Sequence, residues 1–359
     1  MTAHHFCMKR RQFLQHSATA LGCLSIPGFA TAAEAEATPP LCSFFVIGDT
    51  HMLAVKNQPD LWDEASAHVT RGLIKAMNSL PGTAIPGEAG GGQVRKPEGV
   101  VHVGDIVDSG DKSGPVHEAM QRTEWRAYTQ SWGLTGSEGL LQFPVMDMAG
   151  NHDGPRGTGY IMEQLAARHR SRKGLKSISE NGLHYSWDWN GVHCAALGLI
   201  VGTDKSVTRK RRYGAMDSLD FLKQDLAANT APGQPLLLFH HVDILRYAVE
   251  KPKAKIETWE WDPADVQAFH AAIKGRPAAI FYGHTHNRNA YLWDGGGVAT
   301  KQGIPVFNVD NSCHFHGRNH AFFYVEVRPS AVLVREYATK DTWQSGFWTP
   351  QVWNTPFAV

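Results

Sequence analysis

The chain has 359 residues, 42% of them hydrophobic, and a formal charge of only +1. That much apolar side chain excludes a disordered polymer and suffices for one large α/β domain or two small ones. The near-neutral balance supplies no global field for nucleic acid or an anionic membrane, while 19 His and 11 Trp direct attention to metal ligation and recognition surfaces.

The chain opens with MKRRQFLQHSATALGCLSIPGFATAAEAEA, in which Lys9, Arg10 and Arg11 precede an apolar run over residues 18–29 and a tail of small residues. This is the pattern of an export signal, too short to span a bilayer permanently. Arg10 and Arg11 followed by Phe13 and Leu14 resemble the motif read by the twin-arginine export machinery. The expected division is a signal over residues 1–35 and a single domain over 36–359, periplasmic or secreted, with no transmembrane segment in the mature chain. Cleavage near residues 32–37 leaves Cys42, Cys194 and Cys313, read as small buried residues and not as a disulfide scaffold.

CSFFVIGDTH, from Cys42, is a strand ending in Asp49 and His51, and residues 61–80 carry helical periodicity through Trp62, Ala65, Val69, Leu73 and Met77. A Pro- and Gly-rich surface loop covers residues 81–97. GVVHVGDIVD is a second strand, ending at Asp105 and Asp108, with a helix over residues 118–128 behind it. FPVMDMAGNHD is a third; it stops at Gly150 and releases Asn151, His152 and Asp153 together, ahead of the helix YIMEQLAARHR. LHYSWDW and VHCAALGLI form a hairpin about Asn190 and Gly191. The helix MDSLDFLKQDLAAN leads into PLLLFHH, a strand ending in His240 and His241. Pro263 starts the helix PADVQAFHAAIKG before PAAIFYGHTH, whose strand ends in His284 and His286. The remainder, NAYLWDG, IPVFNVDN, HAFFYVEVRP and AVLVREYA, is almost wholly β.

Taken singly, each ligand-like strand end has a bland reading as turn chemistry or as a satisfied core histidine. Five in one chain do not, because neighbouring strands of an open α/β sheet aim their following loops into one crevice. In the order D-x-H, G-D-x-x-D, G-N-H-D, H and G-H-T-H, these motifs resemble the calcineurin-like metallophosphoesterase family over nearly the whole mature chain.

The resemblance implies an α/β fold, a β-sandwich of two mixed sheets flanked by helices with the metal site at the carboxyl ends of strands. It also implies an enzyme that hydrolyses phosphate mono- or diesters by attack of a metal-bound hydroxide. Two metals roughly 3.5–4 Å apart would sit there, one held by Asp49, His51 and His286, the other by Asn151, His240 and His284, with Asp105 bridging. His240 is chosen as the first residue past LLLF in the family pattern, with His241 in reserve. His152 is left without a metal, to stabilise the phosphoryl oxygens or protonate the leaving group, and Asp108 matches the acid that hydrogen-bonds this histidine. Asp153 is read as a turn cap.

The donor chemistry agrees independently. Imidazole with carboxylate and amide oxygen, and no thiolate, suits Mn, Fe or Zn better than Ca or Mg, and the mixed set is larger than a closed structural zinc site requires. Asp108 stands where purple acid phosphatases carry Tyr, and Ser109 where Ser/Thr protein phosphatases carry Arg. The pattern therefore leans toward phosphodiesterases and broad phosphatases, with a small-molecule or lipid phosphate ester as substrate and no nucleic acid partner. A phosphate- or phospholipid-binding protein without turnover, or a nuclease, is the alternative. TRKRRYG, from Thr208, reads as a solvated loop. Residues 242–261, with Tyr247, Trp259 and Trp261, read equally as a lid or as core, and His314, His316 and His320 as added substrate contacts.

Overall fold

The computed structural model describes residues 39–205, 211–247 and 260–358. The export segment with Arg10 and Arg11, the Thr208, Arg209 and Lys210 part of the basic run, and Trp259 with the Tyr247 side chain lie outside the described residues.

In chain order, β1 (Cys42–Ile47) leads to a small hairpin, β2 (Ala54–Val55) and β3 (Gln58–Trp62), then α1 (Glu64–Ser79), β4 (Val100–His102) and α2 (Pro115–Trp132). Next come β5 (Val145–Asp147), α3 (Tyr160–Ser171), β6 (Ser177–Ile178), β7 (Tyr185–Trp189), β8 (Val192–Ala196) and α4 (Ser218–Asn229). β9 (Leu236–Phe239), the one-turn α5 (Ile244–Tyr247), α6 (Pro263–Ile273) and β10 (Ala278–Tyr282) follow. The chain closes with β11 (Asn289–Trp293), β12 (Ile304–Asn308), β13 (His320–Val327), β14 (Ala331–Thr339) and β15 (Phe347–Pro356).

One sheet runs β15-β14-β13-β1-β4-β5 and the other β11-β12-β10-β9-β8-β7-β6. β1, β4 and β5 are parallel, as are β8, β9, β10 and β12, while the outer strands pair antiparallel. The result is the implied sandwich of mixed sheets flanked by helices.

All six residues of β1 are buried, because the strand is covered on both faces. Successive side chains alternate: Phe44 and Val46 join Phe239, Phe281 and Phe323 between the sheets, while Phe45 and Ile47 join Val69, Leu73 and Met77 beneath α1. Phe239 and Phe281 stack with centroids 5.5 Å apart, and Phe44 meets each edge-on at 6.1 Å. Cys42, Cys194 and Cys313 are free and buried, as their reading required. Among the described residues no helix is long and apolar enough to cross a membrane.

The differences from expectation have local causes. Asp63 accepts from Ser66 N at 2.9 Å, so α1 starts at Glu64 and Leu61 and Trp62 belong to β3. Met216 and Asp217 have φ of 53° and 56°, which excludes them from α4. β15 had no strand signal in the sequence, because Pro350 and Pro356 interrupt it; it lies at a sheet edge, where proline is tolerated.

Candidate metal centre

The parallel arrangement brings the carboxyl ends of β1, β4 and β5 and those of β9 and β10 to one edge of the sandwich. There the backbone is bent into conformations that L-residues avoid. Ten described non-glycine residues have positive φ, and five of them lie here: Asp49 at 56°, His51 at 44°, Asp105 at 55°, His284 at 70° and His286 at 52°. Such residues cost on the order of 1–3 kcal/mol each and persist where surrounding structure holds them. Part of that hold is a buried pair beneath the site. His102 Nδ1 accepts from Gly104 N at 3.2 Å, which leaves the ring proton on Nε2, 2.8 Å from the Thr50 hydroxyl; that hydroxyl donates in turn to the Ile106 carbonyl at 3.1 Å. The β1 and β4 turns are thereby tied together.

Four groups of donors converge among the described residues, and two of them share Asp105. In the first, His286 Nε2 lies 3.4 Å from Asp49 Oδ1 and 3.2 Å from His51 Nε2, which is 3.6 Å from Asp105 Oδ2. In the second, His241 Nε2 lies 3.2 Å from both Asp105 Oδ2 and Asn151 Oδ1, and His284 Nδ1 is 2.7 Å from that same amide oxygen. Asp49, His51, Asp105 and His286 have ligand atoms within 4.8 Å of one another, and so do Asp105, His241 and His284. Asp105 belongs to both groups.

Burial alone would raise the Asp49 and Asp105 carboxyls, yet the imidazoles of His286 and His241 beside them hold both below the usual carboxylate range. Burial likewise opposes a proton on His241, and Asp105 overrides it, lifting the imidazole to about 9. A field that favours positive charge this strongly, lined by imidazole, carboxylate and amide oxygen, fits a pair of metal cations.

His240 does not join the cluster. Consecutive residues leaving a strand point to opposite sides, and it is His241 that faces the cleft. Its Nδ1 lies 2.7 Å from the Val103 carbonyl, so Nδ1–H donates there and Nε2 is turned toward Asp105 and Asn151. His240 instead lies flat on Tyr282 at 5.8 Å and edge-on to Trp261 at 5.3 Å, and burial drives its pKa down to about 3. The imidazole expected in the cluster at His240 is therefore contributed by His241 instead. Trp261, fully buried against that ring, is core.

His152 stands at the mouth, 32% exposed, its ring edge-on to His51 at 4.8 Å and its amide donating to Asp105 Oδ1 at 2.7 Å. The role expected of Asp108 is also corrected: its carboxylate lies 3.5 Å from His51 Nδ1 and 2.6 Å from Lys112 Nζ, and the Asp108 atom within hydrogen-bond distance of His152 Nδ1 is its backbone carbonyl, at 3.3 Å. The carboxylate near His152 is Asp111, at 3.7 Å, which no motif marked. Ser109 turns inward, donating to buried Glu124 at 2.9 Å, so that position offers no group to a substrate. Asp153 caps the turn as read, accepting from Gly150 N at 2.7 Å, Val107 N at 2.9 Å and Ile106 N at 3.1 Å.

Of the three later histidines, His314 abuts the first group, 4.6 Å from the His51 ring and 5.1 Å from His286. Its Nδ1 accepts from His316 N at 3.0 Å, which places the proton of the neutral ring on Nε2, and its donor atoms converge with those of His51 and His286 in a further candidate group. His320 is bound to Asn311 Oδ1 at 2.6 Å. In the basic run, Arg211 is buried and paired with Asp204 and Asp265, so only part of that run is the solvated loop expected.

The family model of calcineurin-like phosphoesterases matches residues 42–288. The chain belongs to the calcineurin-like phosphoesterase family. The match takes in every ligand-bearing strand end from Asp49 to His286, and the chain is accordingly a phosphoester hydrolase with metal-binding residues. Its fold is similar to that of a dimetal phosphatase from Danio rerio, at 12% identity and a TM-score of 0.45, with 89% of this chain and 100% of that one covered. It is also similar to PhoD, at 10% identity and a TM-score of 0.49, covering 90% and 72% of the two chains. Calcineurin-like phosphoesterase YfkN from Bacillus subtilis aligns at 14% identity and a TM-score of 0.37, covering 88% and 90%. No curated protein sequence matches the chain.

Proposed function

We propose that this phosphoesterase is an exported hydrolase of small phosphate mono- or diesters that works with two transition metals, Mn, Fe or Zn. The supporting observation is the position of Asp105, whose Oδ2 is 3.6 Å from His51 Nε2 on one side and 3.2 Å from His241 Nε2 on the other. Asp49, His51 and His286 would hold one metal, Asn151, His241 and His284 the other, and Asp105 both. Bound there, two cations would polarise the phosphoryl oxygens and lower the pKa of the attacking water. His152, at the solvent-facing mouth, delivers a proton to the departing oxygen, a contribution of roughly 10²- to 10⁴-fold. His314 offers Nε2–H to a phosphoryl oxygen from the other side of His51.

Elemental analysis combined with hydrolysis of aryl phosphate mono- and diesters tests the reading. Two metals per chain and loss of both activities on chelation are expected; full activity with one metal or none would overturn it. Export rests on Arg10 and Arg11. Replacing both with Lys should hold active enzyme in the cytoplasm, since a receptor reads the arginine pair, and undiminished export would assign the general secretory route instead.

A further inference from the structure

We propose that Glu260 is a positioning residue that orients His284 and thereby sets the affinity of the metal position formed by Asn151, His241 and His284; the proposal rests on the two-metal reading above. Glu260 lies in a segment singled out for its aromatic residues, outside every motif. It is 1% exposed, and its Oε2 lies 3.2 Å from His284 Nε2. The two atoms are not aligned as an ideal hydrogen bond, yet both are buried and neither has any other hydrogen-bond partner among the described residues. Oε1 has the guanidinium of Arg212 at 3.6 Å, on a largely exposed arm that also covers the Tyr213 ring at 5.2 Å. Tyr213 in turn stands edge-on to His284 at 5.8 Å.

Imidazole chemistry decides what this contact does. His284 turns Nδ1 toward Asn151, at 2.7 Å, so a metal there takes the Nδ1 lone pair. The ring proton must then reside on Nε2, the atom beside Glu260. A carboxylate accepting from the second nitrogen of a ligand histidine fixes the tautomer, holds the ring plane and makes the ligand more basic. Two of the other candidate ligand rings follow the same rule: His241 gives its second nitrogen to the Val103 carbonyl at 2.7 Å, and His51 turns its own toward Asp108 at 3.5 Å. Glu260 is not itself a ligand, since it belongs to none of the groups whose donor atoms converge among the described residues. A carboxylate this deeply buried is costly unless it is partnered, and among the described residues its partners are Arg212 and His284.

The test separates reach from charge. Glu260→Gln keeps the reach and an acceptor oxygen but loses the charge; Glu260→Asp keeps the charge but withdraws it from Nε2. Metal-free wild type and both variants are titrated with Zn against a chelating dye, with thermal melts of the metal-free proteins confirming that each is folded. The E260D protein should bind one of its two metals about 10- to 100-fold more weakly, as loss of such a partner does, with E260Q losing less and the other metal unchanged in both. If wild type takes two metals and E260D matches it, or if E260Q loses more than E260D, Glu260 does not act by orienting His284. Wild type that takes fewer than two metals overturns the two-metal reading and this proposal with it.

Discussion

Gly150 is packed so closely on Asp105 that a Cβ at position 150 would stand 2.1 Å from the Asp105 nitrogen and 2.3 Å from its Oδ1. No side chain of any size fits there. The abrupt end of the third motif strand is thus a steric condition for the carboxylate that both donor groups share. Gly150→Ala should push the β4 turn away and misplace Asp105 by on the order of 1 Å, enough to cost about 10²-fold in rate. Metal content should fall in parallel. Alanine at 150 with two metals and wild-type activity would show that Asp105 has no such constraint.

The paired histidines after β9 give a sharper contrast. His241→Ala removes an imidazole aimed at Asp105 and Asn151, so metal content should drop by about one per chain and activity by at least 10²-fold. His240→Ala should leave the metals in place and instead lower stability by about 2–4 kcal/mol, the cost of emptying a core site formed by Tyr282, Trp261 and Phe269. Metal analysis and urea melts of the two variants read these effects separately. The reverse pattern would restore His240 as the ligand.

Which of two adjacent histidines faces a cleft depends on the pleat at the strand end, and LLLFHH is apolar on both faces before it, so the sequence carries no phase to read. The other ligands were legible because each follows a glycine or stands one residue apart from another ligand within its motif, which leaves little choice of side. Asp108 was found as a residue and misread as a contact: G-D-x-x-D fixes the turn, but Lys112, one helical spacing away, draws the carboxylate off. Glu260 and Asp111 had no signal because their roles depend on segments that meet only in three dimensions. The alternation of strands and helices made the α/β class legible, since parallel neighbours need crossovers, and the sandwich followed from the family resemblance, whereas β2, β6 and β15 are short or proline-broken strands whose pairing is decided by the partner.

Away from the metals, His193 sits buried between two carboxylates, Nδ1 2.7 Å from Asp188 Oδ1 and Nε2 2.8 Å from Asp225 Oδ2. Burial disfavours its charged form, but the two acids outweigh it and raise the pKa above the ordinary value of 6.5. A raised folded pKa contributes stability that is complete below the unfolded value and disappears as pH climbs through the folded one. Wild type should therefore lose stability from about pH 6.5 upward, and His193→Gln should be less stable than wild type at pH 6 by a margin that narrows with rising pH. Urea melts of the metal-free proteins at pH 6 to 9 measure this margin; one that stays constant would show that His193 is neutral when folded.

The last test bears on the step from metal binding to hydrolysis. His152 is exposed enough to meet a substrate, and its Nδ1 is occupied by the Asp108 carbonyl at 3.3 Å and the Asp111 carboxylate at 3.7 Å, which leaves Nε2 to face the leaving group. A leaving oxygen of high pKa departs poorly without a proton, whereas an aryl oxide departs as its anion, so loss of a general acid should scale with leaving-group basicity. His152→Ala should keep both metals, slow alkyl phosphate esters by roughly 10²- to 10⁴-fold, and slow activated aryl esters far less. Asp111→Asn should give a smaller effect in the same direction, because that carboxylate, 3.7 Å from Nδ1, helps to orient the ring. Equal losses on alkyl and aryl esters, or loss of metal from the His152→Ala protein, would remove His152 from the acid role and make its ring, packed edge-on against His51 at 4.8 Å, a support for the metal site.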